Sequence, residues 1–151
     1  MISQSILNSA VAGHKVLIDS NVIIYLTDSI QPYASLAKAL FETIEAGDAE
    51  AVISILSVSE VMQGPVKKSD NTMAMEVKDY LVNFPNCHCQ EITMHVLEIV
   101  GNDERIDWSG LRTVDSLIIA SGLVNGVDLF ISNDRHFKKS LPRKMILSFD
   151  K

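Results

Sequence analysis

The sequence is poor in the features that mark extracellular, membrane-spanning or nucleotide-loop proteins. Cys87 and Cys89 are its only cysteines. One intervening residue is a poor span for a disulfide, so no cystine framework is expected to hold the fold. This usage points to a reducing compartment, with a cytoplasmic location as the expectation. Glycine (7 residues) and proline (4 residues) are sparse, and the absence of a glycine-rich phosphate loop disfavours P-loop and dinucleotide enzymes. Asp19, Asp115 and Asp134 interrupt the longest apolar stretches, so no membrane span is expected. Met1 to His14 lack a basic start followed by an apolar run, which argues against a signal peptide. Repeats and low-complexity tracts are also missing.

Positive charge is scarce over the chain as a whole. The formal net charge of -6 looks wrong for a nucleic-acid partner, but its distribution is uneven. Arg135, Lys138, Lys139, Arg143, Lys144 and Lys151 gather near the C-terminus against Asp150 alone. An acidic body with a basic tract is suited to placing a phosphate backbone beside bound cations. Ordinary solvated charge explains the tract equally well.

What is present suits one domain, residues 1–151. At 47% hydrophobic and 21% charged residues, the chain can bury a core without disulfides or structural metal. Val16-Leu17-Ile18 reads as a strand buried on both faces, stopped at Asp19-Ser20, with a helix from Asn21. Pro32 reads as an early helical residue. Leu36, Leu40, Phe41 and Ile44 continue at helical spacing to Gly47. Ala49 to Ile55 is the second strand. A helix capped by Ser57 or Ser59 follows and ends at Gly64-Pro65. Met73, Val77, Tyr80 and Leu81 mark another helix, Cys87 to Ile92 a strand, and Val96 to Val100 a short helix. After a polar loop, Val114 to Val124 is helical, with Leu117, Ile118 and Leu123 facing inward. Leu129 to Ser132 and Met145 to Phe149 complete the strands. Strands separated by helices imply an α/β fold, a mainly parallel sheet flanked by helices on both sides.

Asp19 and Asp134 each follow an apolar strand, where open α/β sheets place ligands. Glu60 falls on the helix after the second strand, and Asp115 in the first turn of the helix before the Asp134 strand. Carboxylates sharing a cleft repel one another, and a divalent cation keeps them ionised. Oxygen donors without a histidine–cysteine cluster favour Mg²⁺ or Mn²⁺ over zinc, and one ion or two both remain open. Each acid also has an ordinary explanation. Asp19 and Asp134 can cap helices, Asp115 can complement a helix dipole, and Glu60 can be solvated. The set carries the argument.

Read together, residues 16–25 (VLIDSNVIIY), 54–64 (SILSVSEVMQG), 113–126 (TVDSLIIASGLVNG) and 129–137 (LFISNDRHF) resemble the PIN-domain nucleases, most closely toxin ribonucleases of VapC type. The resemblance covers nearly the whole chain in the family's order. It implies a PIN-like three-layer sandwich. It also implies a metal-dependent endoribonuclease with Mg²⁺ or Mn²⁺ at Asp19, Glu60, Asp115 and Asp134, leaving a 5′-phosphate and a 3′-hydroxyl. The small polar positions beside that site fall on Ser20, Asn21, Ser132 and Asn133. An RNA substrate, a homodimer and a co-expressed antitoxin laid over the active-site groove are the partners it implies. Arg112, Arg135 and Lys138 are candidate phosphate contacts, with surface solubility as their alternative role.

A haloacid-dehalogenase phosphatase needs a second acid two positions after the first, where this chain has Asn21. A receiver domain fits no better. The remaining alternative is a noncatalytic PIN-like module that binds RNA or protein. His88 alternates with Cys87 and Cys89 on a strand, which opposes a zinc cluster. Trp108 in the polar loop fits a packing anchor better than a base-stacking platform.

Overall fold

A computed structural model describes residues 1–150. In chain order its elements are α1 (Gln4–Val11), β1 (Lys15–Ile18), α2 (Ser20–Thr27), α3 (Ala34–Glu45), β2 (Glu50–Ser54) and α4 (Ile55–Lys67). These are followed by α5 (Asn71–Val82), β3 (Cys87–Gln90), α6 (Met94–Ile99), α7 (Thr113–Leu123), β4 (Leu129–Ile131), α8 (Arg135–Ser140) and β5 (Ile146–Leu147). The five strands form one sheet in the order β3-β2-β1-β4-β5, and every pairing is parallel.

Alternation along the strands divides the core in two. Val16, Ile18, Ala51, Ile53 and Ile131 face one side, under the helices that carry Leu7, Val11, Val22, Leu40, Ile44 and Val61. Leu17, Val52 and Phe130 face the other, against Ile118 and Ile119 of α7 and Phe137 of α8. Leu17 lies in register with both Val52 and Phe130, so the middle of β1 is covered on all sides. The result is the expected α/β three-layer sandwich, a parallel sheet flanked by helices.

α7 packs unusually close to the sheet because Gly122 has no side chain. A Cβ there would lie 2.7 Å from Phe130 Cε2 and 3.0 Å from Leu17 Cδ1. Ser121 answers the polar demand of the same contact. Its hydroxyl donates to Leu117 O at 2.7 Å and lies 3.3 Å from Ser54 Oγ.

Several local expectations are revised. Gln4–Val11 forms a helix where none was read, capped by Ser3 Oγ accepting from Ile6 N at 3.2 Å. α4 starts at Ile55 under a Ser54 cap and runs through Gly64-Pro65 to Lys67. Its exposed Gly64 meets nothing a side chain would fill, so no packing forces the helix to stop there. Pro32 lies in the turn before α3. Leu117 is half-buried beside Leu97, Val100 and Leu111 and points away from the sheet core. Trp108 is a packing anchor: its indole N–H donates to Asp103 O at 2.9 Å and its ring joins the Phe130 core. His88 is exposed, while Cys87 and Cys89 pack on the opposite core.

Candidate active site

β1 lies at the point where strand order reverses, with β2 and β3 to one side and β4 and β5 to the other. The chain therefore leaves β1 into α2 over one face of the sheet and β4 into α8 over the other, and the crevice at such a reversal is the usual ligand position in open parallel sheets. Asp19 lies at the end of β1 and Ser132, Asn133 and Asp134 at the end of β4. Asp19 N continues the ladder by donating to Ile131 O at 3.0 Å.

Asp19 is 4% exposed and caps α2, with Oδ1 accepting from Ser20 N at 2.8 Å. Oδ2 accepts from Ser132 Oγ at 2.6 Å and from Asn21 Nδ2 at 3.4 Å. Ser132 Oγ in turn accepts from Asp134 N at 3.0 Å and Asn21 Nδ2 at 3.4 Å. One serine hydroxyl thus joins the two strand ends. Asp134 caps α8 through His136 N at 2.7 Å. The two caps are real, and they are also what aims both carboxyls into one crevice.

Burial pushes the Asp19 carboxyl up to about 6; the Ser132 and Ser20 hydrogen bonds oppose this, and the charges of Glu60 and Asp134 add to it. Glu60 projects from α4 with an exposed side chain, yet partial desolvation of its carboxyl raises its pKa. The Ser20 hydroxyl and the Arg112 charge counter that rise, and the charges of Asp115 and Asp134 reinforce it. Asp115, 3% exposed, is held by Arg112 through both oxygens, Nε to Oδ2 at 3.0 Å and Nη2 to Oδ1 at 3.3 Å. The four acids, two capping α2 and α8 and two on α4 and α7, therefore share one electrostatic neighbourhood. Among the described residues, however, no three histidine, cysteine, aspartate or glutamate side chains converge closely enough to hold a metal ion in this conformation. The donor chemistry nevertheless fits a hard divalent cation: oxygen ligands, excess negative charge and a buried carboxyl whose ionisation its neighbours resist.

Asn133 faces a different task. Its Nδ2 donates to Tyr25 OH at 3.1 Å, while its Oδ1 accepts from Ser148 Oγ, Phe149 N and Asp150 N at 2.7, 2.8 and 3.3 Å. It fastens the chain after β5 beside the crevice, and its own N–H donates to Asn21 Oδ1 at 3.4 Å. Arg135 and Lys138 are exposed on α8. Sequence reasoning read Ser57 as a helix cap and missed its place inside α4, one turn before Glu60, where its hydroxyl is fully buried and has no hydrogen-bond partner. It also missed the ion pair of Arg112 with Asp115, whose only signal was their i,i+3 spacing at a helix start.

A PIN domain model matches residues 16–140, a span that takes in all four acids, and the chain belongs to the PIN domain family. That membership brings a nuclease-type, RNA-related role and general dependence on metal as properties of the family. Solved structures with the same fold include VapBC2 from Rickettsia felis bound to a promoter DNA fragment, with a TM-score of 0.63 at 14% identity, covering 90% of this chain and 99% of that one. A toxin–antitoxin complex from Klebsiella pneumoniae has a TM-score of 0.59 at 18% identity, with 87% and 95% covered. The sarcin–ricin loop cleaving toxin VapC20 from Mycobacterium tuberculosis gives 0.61 at 16% identity, with 82% and 93% covered. No curated protein sequence gives a match. No helix among the described residues is long and apolar enough to cross a membrane.

Proposed function

We propose that this chain is a metal-dependent endoribonuclease of one PIN domain, acting as the toxin of a toxin–antitoxin pair. The observation that carries the reading is the gathering of Asp19, Glu60, Asp115 and Asp134 at the reversal point of the sheet, where burial raises the Asp19 pKa and the charges of Glu60 and Asp134 add to it. Asp19, Asp115 and Asp134 would hold Mg²⁺ or Mn²⁺, with Glu60 completing the set. When bound, the ion supplies charge stabilisation at the scissile phosphate and lowers the pKa of a water.

The chain's own groups do the rest. Ser132 and the backbone of Ser20 orient the Asp19 carboxyl, and Asn21 bridges the two strand ends. Arg135 and Lys138, exposed beside Asp134, contact RNA phosphates. The antitoxin partner is supported by relatives of the same fold described as toxin–antitoxin assemblies. A homodimer and a cytoplasmic location belong to the same reading.

The test is cleavage of labelled RNA by purified protein with Mg²⁺ or Mn²⁺. Activity should vanish with chelator and in a folded Asp19→Asn variant. Undiminished cleavage in either condition would overturn the metal-dependent mechanism. No cleavage over varied RNAs, with RNA or protein binding retained, would favour the noncatalytic module. That second reading draws on one observation, the closure of Arg112 over both oxygens of Asp115.

A further inference from the structure

Arg112 occupies an odd position for an arginine. It is the N-cap of α7, where serine, threonine, asparagine and aspartate are favoured, and it makes no side-chain cap bond. Its guanidinium instead reaches forward to Asp115 and takes both carboxylate oxygens. The two partners differ sharply in environment: the Arg112 side chain is 70% exposed and that of Asp115 is 5% exposed. Among the described residues, no other side chain hydrogen-bonds the Asp115 carboxylate. The same guanidinium also feels the charges of Asp134 and Glu60.

A cation lodged among these acids competes with the arginine fork for the Asp115 oxygens. Release costs the arginine itself little, because its side chain is 70% exposed. The carboxylate it leaves behind is nearly inaccessible and needs a replacement positive charge. Once released, a planar five-donor fork stands at the rim of the crevice, matched to the oxygens of a phosphodiester.

We propose that Arg112 is a cation gate, closed on Asp115 when no divalent ion is present and transferred to an RNA backbone phosphate when one binds. This rests on the nuclease reading above. Competition and release then couple the two ligands: metal frees the arginine for RNA, and RNA holds the arginine away from Asp115. By linkage each ligand tightens the other by the same factor.

The test compares wild type, Arg112→Ala and Arg112→Lys, all checked for fold by circular dichroism. Calorimetric titration with Mn²⁺ alone should give Arg112→Ala a Kd lower than wild type by roughly 10-fold. Arg112→Lys, which keeps the charge but cannot span both oxygens, should fall between them. Fluorescence anisotropy with a phosphorothioate RNA oligonucleotide, chosen to slow cleavage, supplies the second arm. Mn²⁺ should raise RNA affinity in wild type, and Arg112→Ala should abolish most of that gain. Opposite effects on metal and RNA are the signature that a merely structural arginine lacks. An unchanged or higher Mn²⁺ Kd in Arg112→Ala overturns the gate, as does an Mn²⁺-bound crystal structure with Arg112 still on both oxygens. If wild type cleaves RNA with Mn²⁺ and the variants match it in both binding arms, the gate fails and the nuclease stands. If wild type neither binds Mn²⁺ nor cleaves RNA, both fall.

Discussion

Ser132 Oγ donates to Asp19 Oδ2 at 2.6 Å, joining residues 113 positions apart through one hydroxyl. The contact holds a buried carboxylate in the ionised form against desolvation. Ser132→Ala removes it and also takes an acceptor from Asp134 N. We expect metal affinity and kcat/KM to fall by about 10–100-fold. The acid limb of the pH–rate profile should move to higher pH, because Asp19 then ionises less readily. A loss of rate with an unmoved acid limb would mean that Ser132 matters only through packing.

Asp19 also makes stability depend on pH. Its folded pKa of about 6 lies above the ordinary 3.8, so the folded state holds this proton more tightly than the unfolded chain. The associated stability is fully present below about pH 3.8 and is lost as pH rises through about 6. At neutral pH the metal-free protein carries a penalty on the order of 3 kcal/mol from this group. Asp19→Asn should therefore raise the melting temperature at pH 7.5 by several degrees while abolishing cleavage, and the gain should shrink toward pH 4. An equal effect at both pH values would rule out the Asp19 charge as its source.

Removing the ion should have the opposite sense to this mutation. Thermal melts of wild type at pH 7.5 should rise with added Mn²⁺ and return to the starting value with chelator, because a bound ligand stabilises the folded state by mass action. Asp19→Asn should show a much smaller rise. A rise of equal size in the variant would remove Asp19 from the binding set.

Gly122 makes a prediction unconnected with charge. Gly122→Ala drives a methyl into the Phe130 ring and Leu17, both of them fully buried. Overpacking of this kind costs about 1–3 kcal/mol. Denaturant unfolding should show the midpoint fall. An unchanged midpoint would mean that α7 slides away from the sheet without loss.

Asn133→Ala should loosen the C-terminal stretch. Three donors, Ser148 Oγ, Phe149 N and Asp150 N, lose one shared acceptor. Leaving such groups unsatisfied costs roughly 1–3 kcal/mol. Hydrogen exchange should accelerate at Phe149 and Asp150 well before it does at Leu17 or Phe130. Uniform acceleration across the sheet would instead mark a global loss of stability.

Strands β1 and β4 and the carboxyls at their ends were legible because β-branched and leucine runs stop abruptly at Asp19 and after Ser132. That pattern reports a buried parallel strand almost directly. The helix at Gln4–Val11 was not legible as such. Its apolar contacts reduce to Leu7 and Val11, and the Ser3 cap sits in a polar stretch that resembles a loop. Gly64-Pro65 misled for the reverse reason. Those residues commonly break helices, but here the exposed face of α4 carries them without losing a core contact. Asp19, Ser132 and Asp134 could be foreseen as neighbours from strand position alone. The hold of Arg112 on Asp115 could not, since it depends on a side chain turning inward from the cap of a helix when surface solvation was the simpler reading.

The place of β1 between β2 and β4 sets when, during synthesis, this cleft can first exist. Val16 pairs with Ala51 early in the chain, but its other neighbour is Leu129. A ribosome that has made α1 through α7 has produced most of the hydrophobic mass and three of the four acids, yet β1 still has an open edge and Asp19 still lacks Ser132. The stretch from β4 onward closes the sheet and completes the acidic cleft together. The acidic cleft is therefore absent from every nascent chain that stops short of β4.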